Sequence, residues 1–170
     1  DWRKDISLTA PLLDQKIEAI KAQTGSQKVD IVAHSMGGLV ARNYISDAER
    51  AGNVRKLLEL GVPHLGSVKF LQAIRYGICL RFEIGPVCLS IAPSAVKDVI
   101  QNSIGGLELS PSRNYFSLYD GSDNQHPFPL RDVSDLDNNQ ITGTLNYDQI
   151  KVFLANLGHN TPLFTPSETF

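Results

Sequence analysis

Between Leu8 and Thr24 the apolar positions Leu13, Ile17 and Ile20 recur at the three-and-four spacing of one helix face, with Pro11 near the first turn and Gly25 at the stop. The next run, KVDIVAH, is short, β-branched and without helical period, which predicts a strand. From Gly37 the helical period returns, with Leu39, Val40, Tyr44 and Ile45 on one side, and predicts a second helix closing near Gly52. VRKLLELGVPH then predicts a strand from Leu57 to Leu60, ended by a Gly/Pro turn. Helix, strand, helix and strand joined by short connections is the pattern of an α/β fold, a parallel sheet with helices on both faces. Strands in such a sheet are expected to bury both faces, which is why they lose the polar alternation of surface strands.

Beyond Gly66 the pattern changes. Up to about Pro111 there is no clear alternation of strand and helix, though Val96, Val99 and Ile100 predict a short helix before the Gly105-Gly106 break. NYFSLY has strand character. Residues Asp120 to Asn139 are rich in turn formers, and Tyr147 to Leu157 sets Ile150, Phe153, Leu154 and Leu157 on one helical face, with Gly158 at its end. This half reads as an insertion over a sheet rather than as the sheet itself.

Composition narrows the function classes. The 170 residues suit one domain with a sizeable core, and 42% hydrophobic with 20% charged residues is ordinary for a globular chain. With 16 basic and 18 acidic residues the net charge is −2, and no dense Lys/Arg block supplies the basic face of a nucleic-acid partner. No apolar run reaches the ~18 residues of a membrane-spanning helix; the richest region, Val68 to Ala92, is broken by Lys69, Arg75, Arg81 and Glu83. The opening DWRKDISLTA has no signal-peptide character, so the chain is expected to be processed or cut from something longer. Cys79 and Cys88, nine apart, are too far for a CxxC pair; a loop-closing disulfide and two buried thiols both stay open. The disulfide reading leans toward an extracytoplasmic location. Four scattered histidines without a metal-ligand spacing argue against a metal site, and no cofactor motif is present.

The chemistry concentrates in VDIVAHSMGGLV. Ser35 stands where a predicted strand meets a predicted helix, with Ala33 two residues before it and Gly37 two after. That is the context of a nucleophile elbow. A serine on a sharp turn crowds the residues two positions away on either side, so small ones are expected there. The helix that follows turns its N-terminal N–H groups and positive dipole end toward the serine oxygen. The backbone N–H of Met36 is then one donor to the oxyanion of a tetrahedral intermediate.

AHSMGGLVARNYI resembles the elbow of α/β-hydrolase lipases, in the branch related to lecithin:cholesterol acyltransferase. DWRKD resembles that family's segment after an early sheet strand, and LGVPHLGS the strand and loop after the nucleophile helix. IQNSIGGLELSPSRNYF resembles the cap segment with a Leu-Pro-Ser signature, here approximated by Ser110-Pro111-Ser112 after Leu109. The resemblance is tight over residues 1–67 and looser to Phe170. It implies a partial α/β-hydrolase fold: residues 1–66 as a core segment with the elbow, and residues 67–170 as mainly a cap or lid. It also implies a lipase, esterase or lipid acyltransferase acting on an ester or lipid substrate through an acyl-enzyme on Ser35. The apolar stretch FLQAIRYGICLRFEIGPVCLSIA fits a lid that meets a lipid interface transiently.

A serine hydrolase further needs a base, an acid and a second oxyanion donor. The family's chain order is serine, acid, histidine. His34 adjoins the serine on the elbow, His64 precedes any plausible acid and is expected to shape the site wall, and His126 sits in the turn NQHPFP. Asp123 and His159 keep the order, with Asp120 as a second acid candidate. Yet IKVFLANLG before His159 has helical period where a strand is expected, and a histidine at a helix C-terminus is favoured by the dipole in any case. The expectation is therefore an internal piece of a lipase-like protein whose acid, base and second oxyanion donor lie elsewhere. The alternative is a non-catalytic, hydrolase-like binding or structural module.

Overall fold

The computed structural model describes residues 1–76, 81–84, 87–90, 93–118 and 146–156. Its first element is helix α1, Ile6–Thr24, started by Asp5, whose carboxylate accepts from the Ser7 N–H at 2.7 Å, and stopped by Gly25 at φ 71°. Strand β1, Val29–His34, leads into α2, Met36–Ile45. The second helix ends there rather than near Gly52. Asp47 accepts from the Glu49 and Arg50 N–H groups at 2.9 and 3.1 Å and starts a separate turn, α3, Ala48–Ala51. Strand β2 runs Val54–Leu60, beginning three residues before its expected start at Leu57, and pairs parallel to β1 with Ile31 opposite Leu57, Ala33 opposite Glu59 and His34 opposite Leu60. The chain has α/β character in this small parallel sheet and its helices.

Both α1 and α2 lie on one side of the sheet. Ala10, Ile17 and Tyr44 form a core there with Leu13, Val29, Ile31, Ile45 and Val54. The Tyr44 hydroxyl donates to Asp14 at 2.9 Å and accepts from the Asn53 amide at 3.2 Å, tying both helices to the turn before β2. The opposite face differs from expectation. Val32, Leu58 and Leu60 are 67, 56 and 48% exposed, so among the described residues this sheet is covered on one face, not two.

The second half builds its own core. Helices α4 (Val68–Tyr76), α5 (Pro93–Gln101), α6 (Ile104–Leu107), α7 (Arg113–Leu118) and α8 (Tyr147–Asn156) contribute Phe70, Ile74, Ile100, Leu107, Phe116 and Leu154 to it. Between α4 and α5 an antiparallel hairpin, β3 (Arg81–Ile84) with β4 (Val87–Ser90), occupies the stretch that showed no clear alternation. NYFSLY is not a strand: its residues to Leu118 are α7. Ser112 receives the Tyr115 N–H on both its carbonyl, at 3.1 Å, and its hydroxyl, at 3.3 Å, so an N-terminal cap after Pro111 overrides the aromatic residues' β preference. The helical reading of the stretch before His159 holds, since α8 extends to Asn156. No helix among the described residues is long and apolar enough to cross a membrane.

Tyr44→Phe keeps the ring in the core and deletes its hydroxyl, leaving Asp14 and Asn53 without that partner. The expected loss is about 1 to 2 kcal/mol in urea unfolding at unchanged m-value.

Candidate active site

Strand β1 delivers Ser35 to the edge of α2. The ladder continues one step past the strand, with the Ser35 N–H donating to the Leu60 carbonyl at 3.0 Å. The chain then reverses sharply: Ser35 has φ 52° and ψ −134°, and it is the one non-glycine residue with positive φ among those described. A backbone of this kind costs roughly 1–3 kcal/mol and persists only where its surroundings hold it. Here they do. The ladder fixes the residue from β2, and the Gly38 N–H bonds back to the Ser35 carbonyl at 3.0 Å as α2 begins. The serine side chain makes no capping hydrogen bond and stands exposed, ahead of the first N–H groups of α2.

The small residues around it divide differently from expectation. Ala33 is buried on the inner side of β1, opposite Glu59. A Cβ added at Gly37 meets nothing within 4 Å, whereas one at Gly38 runs into the Val62 side chain, with Cγ1 at 2.6 Å and Cβ at 2.9 Å. Of the two glycines after the serine, the one that close packing demands is therefore Gly38. It lets the loop after β2 lie against the first turn of α2.

That loop carries His64, whose Nε2 is 3.1 Å from the Glu59 carboxylate. With the other Glu59 oxygen buried and unpartnered among the described residues, the carboxylate faces the imidazole as its one side-chain partner there. His64 is thus held by an acid five residues before it, next to the last residue of β2, not by the serine turn. His34 is exposed at the end of β1. Asp123 and His159 lie outside the described residues, as do Asp120, His126 and Cys79, so Ser35 and Met36 are the described members of the expected site. No group of three or more His, Cys, Asp or Glu suited to a metal ion occurs among the described residues.

The four stretches singled out in the sequence come together around this turn. Gly66, at φ 90°, packs its bare Cα against the Ser110 carbonyl and Pro111, with Pro111 Cα 2.5 Å from where a Cβ would stand. The Ser67 N–H donates to the Leu109 carbonyl at 2.8 Å, and the Ser112 N–H and hydroxyl donate to the Leu65 carbonyl at 2.9 and 3.2 Å. LGVPHLGS is thereby stapled to LELSPS. DWRKD is joined to the glycine pair by the Gly105 N–H, which donates to the Arg3 carbonyl at 3.1 Å. A Cβ at Gly105 would collide with the carbonyls of Trp2 and Lys4 and stand 3.0 Å from Met36 Cε. Sequence reasoning missed two acids in this assembly. One is Glu59, the partner of His64; the other is Glu108, buried and accepting from the Ile6 N–H at 2.9 Å. The only signal for Glu108 is a lone carboxylate in the apolar run IGGLELSP.

Two measurements follow from the turn itself. Gly38→Ala is expected to destabilise by about 1–3 kcal/mol through overpacking against Val62, while Gly37→Ala gains up to about 1 kcal/mol as a helix former in open space. Ser35→Gly is expected to gain about 1 kcal/mol, the relieved strain less the freedom glycine adds to the unfolded chain, and Ser35→Ala to stay within about 0.5 kcal/mol of wild type. Urea midpoints of the four variants check both.

Comparison with known proteins adds an independent line. The model of the lecithin:cholesterol acyltransferase family matches residues 1–119. The uncharacterized protein YJR098C of Saccharomyces cerevisiae is 34% identical over 76 residues, covering 41% of this chain and 11% of the yeast protein. A chain in the crystal structure of the Tle4-Tli4 complex is 26% identical and superposes with a TM-score of 0.49 over 78% of this chain and 28% of that one. The chain thus spans only a minor part of the length of either relative. With more than half of its residues inside the family match, the chain belongs to the lecithin:cholesterol acyltransferase family.

Proposed function

We propose that this chain supplies the nucleophile elbow of a serine acyl-ester hydrolase or lipid acyltransferase built on the α/β-hydrolase fold. The observation that carries the reading is the backbone of Ser35: positive φ on a non-glycine residue, between a parallel strand and a helix, with its hydroxyl exposed. Strain at such a position is retained where function needs it. Family membership supports the class of reaction, acyl transfer from a lipid or other ester to water or to an alcohol.

In this reading the Ser35 hydroxyl oxygen attacks the ester carbonyl and its proton passes to a base. The carbonyl oxygen becomes an oxyanion, which the Met36 N–H stabilises from the first turn of α2. Collapse of the tetrahedral intermediate expels the alcohol and leaves an acyl-enzyme, which water or a second alcohol releases. Acid and base come from outside the described residues; Asp123 and His159 are the candidates in this chain that keep the order. Residues 1–66 act as the core segment, and residues 67–170 mainly as a cap over it, meeting the lipid interface transiently.

The test is labelling by a fluorophosphonate, on this chain alone and extended with the sheet segments that longer family members carry, each beside its Ser35→Ala counterpart. Label that depends on Ser35 is expected, at the least on the extended protein. Folded extended protein that stays unlabelled, or label that survives Ser35→Ala, contradicts the reading.

A further inference from the structure

Two carboxyl groups meet at the start of α1. Asp5 caps the helix through the Ser7 N–H, and Glu108, from the far side of the sequence, takes the Ile6 N–H at 2.9 Å. These N–H groups belong to the first turn, which has no partners within the helix. Glu108 is 5% exposed, while Asp5 is only half-buried. The same turn that carries Glu108 places Gly105 against the Trp2 and Lys4 carbonyls and 3.0 Å, at its would-be Cβ, from Met36 Cε. The Ser103 hydroxyl and the Gly105 N–H both reach the Arg3 carbonyl, at 3.4 and 3.1 Å. The Ser103–Glu108 turn is therefore wedged between the N-terminal turn and the residue that follows Ser35.

We propose that Glu108 is a positioning residue for the serine turn: in its acid form it clasps the Ser103–Glu108 turn to the start of α1, and its ionisation loosens the support behind Met36. The contact rests on geometry, its preference for the acid form on burial beside Asp5, and its bearing on Ser35 on the elbow reading above.

The charges around the group favour one proton in the pair. Burial pushes the Glu108 carboxyl up to about 7, against the pull of the Ile6 N–H, and the neighbouring Asp5 charge and a hydrogen bond shared with Asp5 push the same way. Among the described residues no cation offsets this from the packed segments: the Arg3 guanidinium is held on Asp1 at 2.8 and 2.9 Å, and Lys4 meets the turn through its backbone carbonyl. Met36 is uncharged, and α6 itself carries no titratable side chain. The sign follows. The folded chain holds this proton more tightly than the unfolded one, whose carboxyl sits near 4.5, so the clasp's contribution is whole below about 4.5 and is lost as pH rises to and past about 7.

The test compares wild type, Glu108→Gln and Glu108→Ala as full chains. Gln keeps an acceptor for Ile6 N–H and donates to Asp5 at every pH. The wild-type urea midpoint is expected to fall between about pH 5 and 8, the Gln variant to hold level and lie above wild type at the alkaline end, and the Ala variant to be low throughout. Parallel wild-type and Gln profiles, or an Ala variant equal to wild type at pH 5, overturn the clasp. For positioning, the readout is the ratio of the wild-type to the Gln fluorophosphonate labelling rate at Ser35, taken on whichever form of the protein labels, which cancels the titration of the base. A several-fold fall in that ratio above pH 7 is expected. A constant ratio overturns the positioning role, and an absence of Ser35 label in all variants overturns it together with the elbow reading, while the midpoints still report on the clasp.

Discussion

One hydrogen bond fixes where the serine turn of this chain stands. The Ser35 N–H reaches the Leu60 carbonyl at 3.0 Å, extending a parallel ladder by one residue after β1 has ended. The backbone must then turn within a single residue to begin α2, and Ser35 takes the positive φ that this requires. A serine hydroxyl that makes no capping hydrogen bond and stands ahead of the first turn of α2 is the consequence.

The surroundings hold that turn by close approach to the backbone of glycines. Gly38 admits Val62, Gly66 admits Ser110 and Pro111, and Gly105 admits the carbonyls of Trp2 and Lys4. Each contact joins segments far apart in sequence, and each would be blocked by a single Cβ. Two hydrophobic cores, one under the sheet and one among α4 to α8, are bridged at the points where these glycines lie. Glu108 adds a buried carboxylate contact across that bridge, at a sequence separation of 102.

Local signals made the first half legible. The spacing of Leu13, Ile17 and Ile20, the stop at Gly25 and the strand-turn-helix around Ser35 depend on neighbours in sequence, and the parallel pairing follows from element order. What depends on distant partners was not legible. NYFSLY has strand composition, but a cap at Ser112, itself fastened to Leu65, turns it into a helix. Gly37 and Gly38 are indistinguishable as letters, and only the approach of Val62 tells which one must lack a side chain. The apolar outer face of the sheet, Val32, Leu58 and Leu60, was readable as apolar but not as exposed. Asp123 and His159 rest on chain order, which constrains candidates without bringing them together.

The central claim is that Ser35 carries the acyl group. Brief reaction of the folded protein, extended to the length of its relatives, with a short-chain activated ester, followed by acid quench and peptide mass mapping, tests it most directly. One acyl group on the peptide bearing Ser35, absent in Ser35→Ala, is the result the account predicts. Turnover of the ester with no adduct at Ser35, or an adduct that persists on another residue in Ser35→Ala, would contradict it.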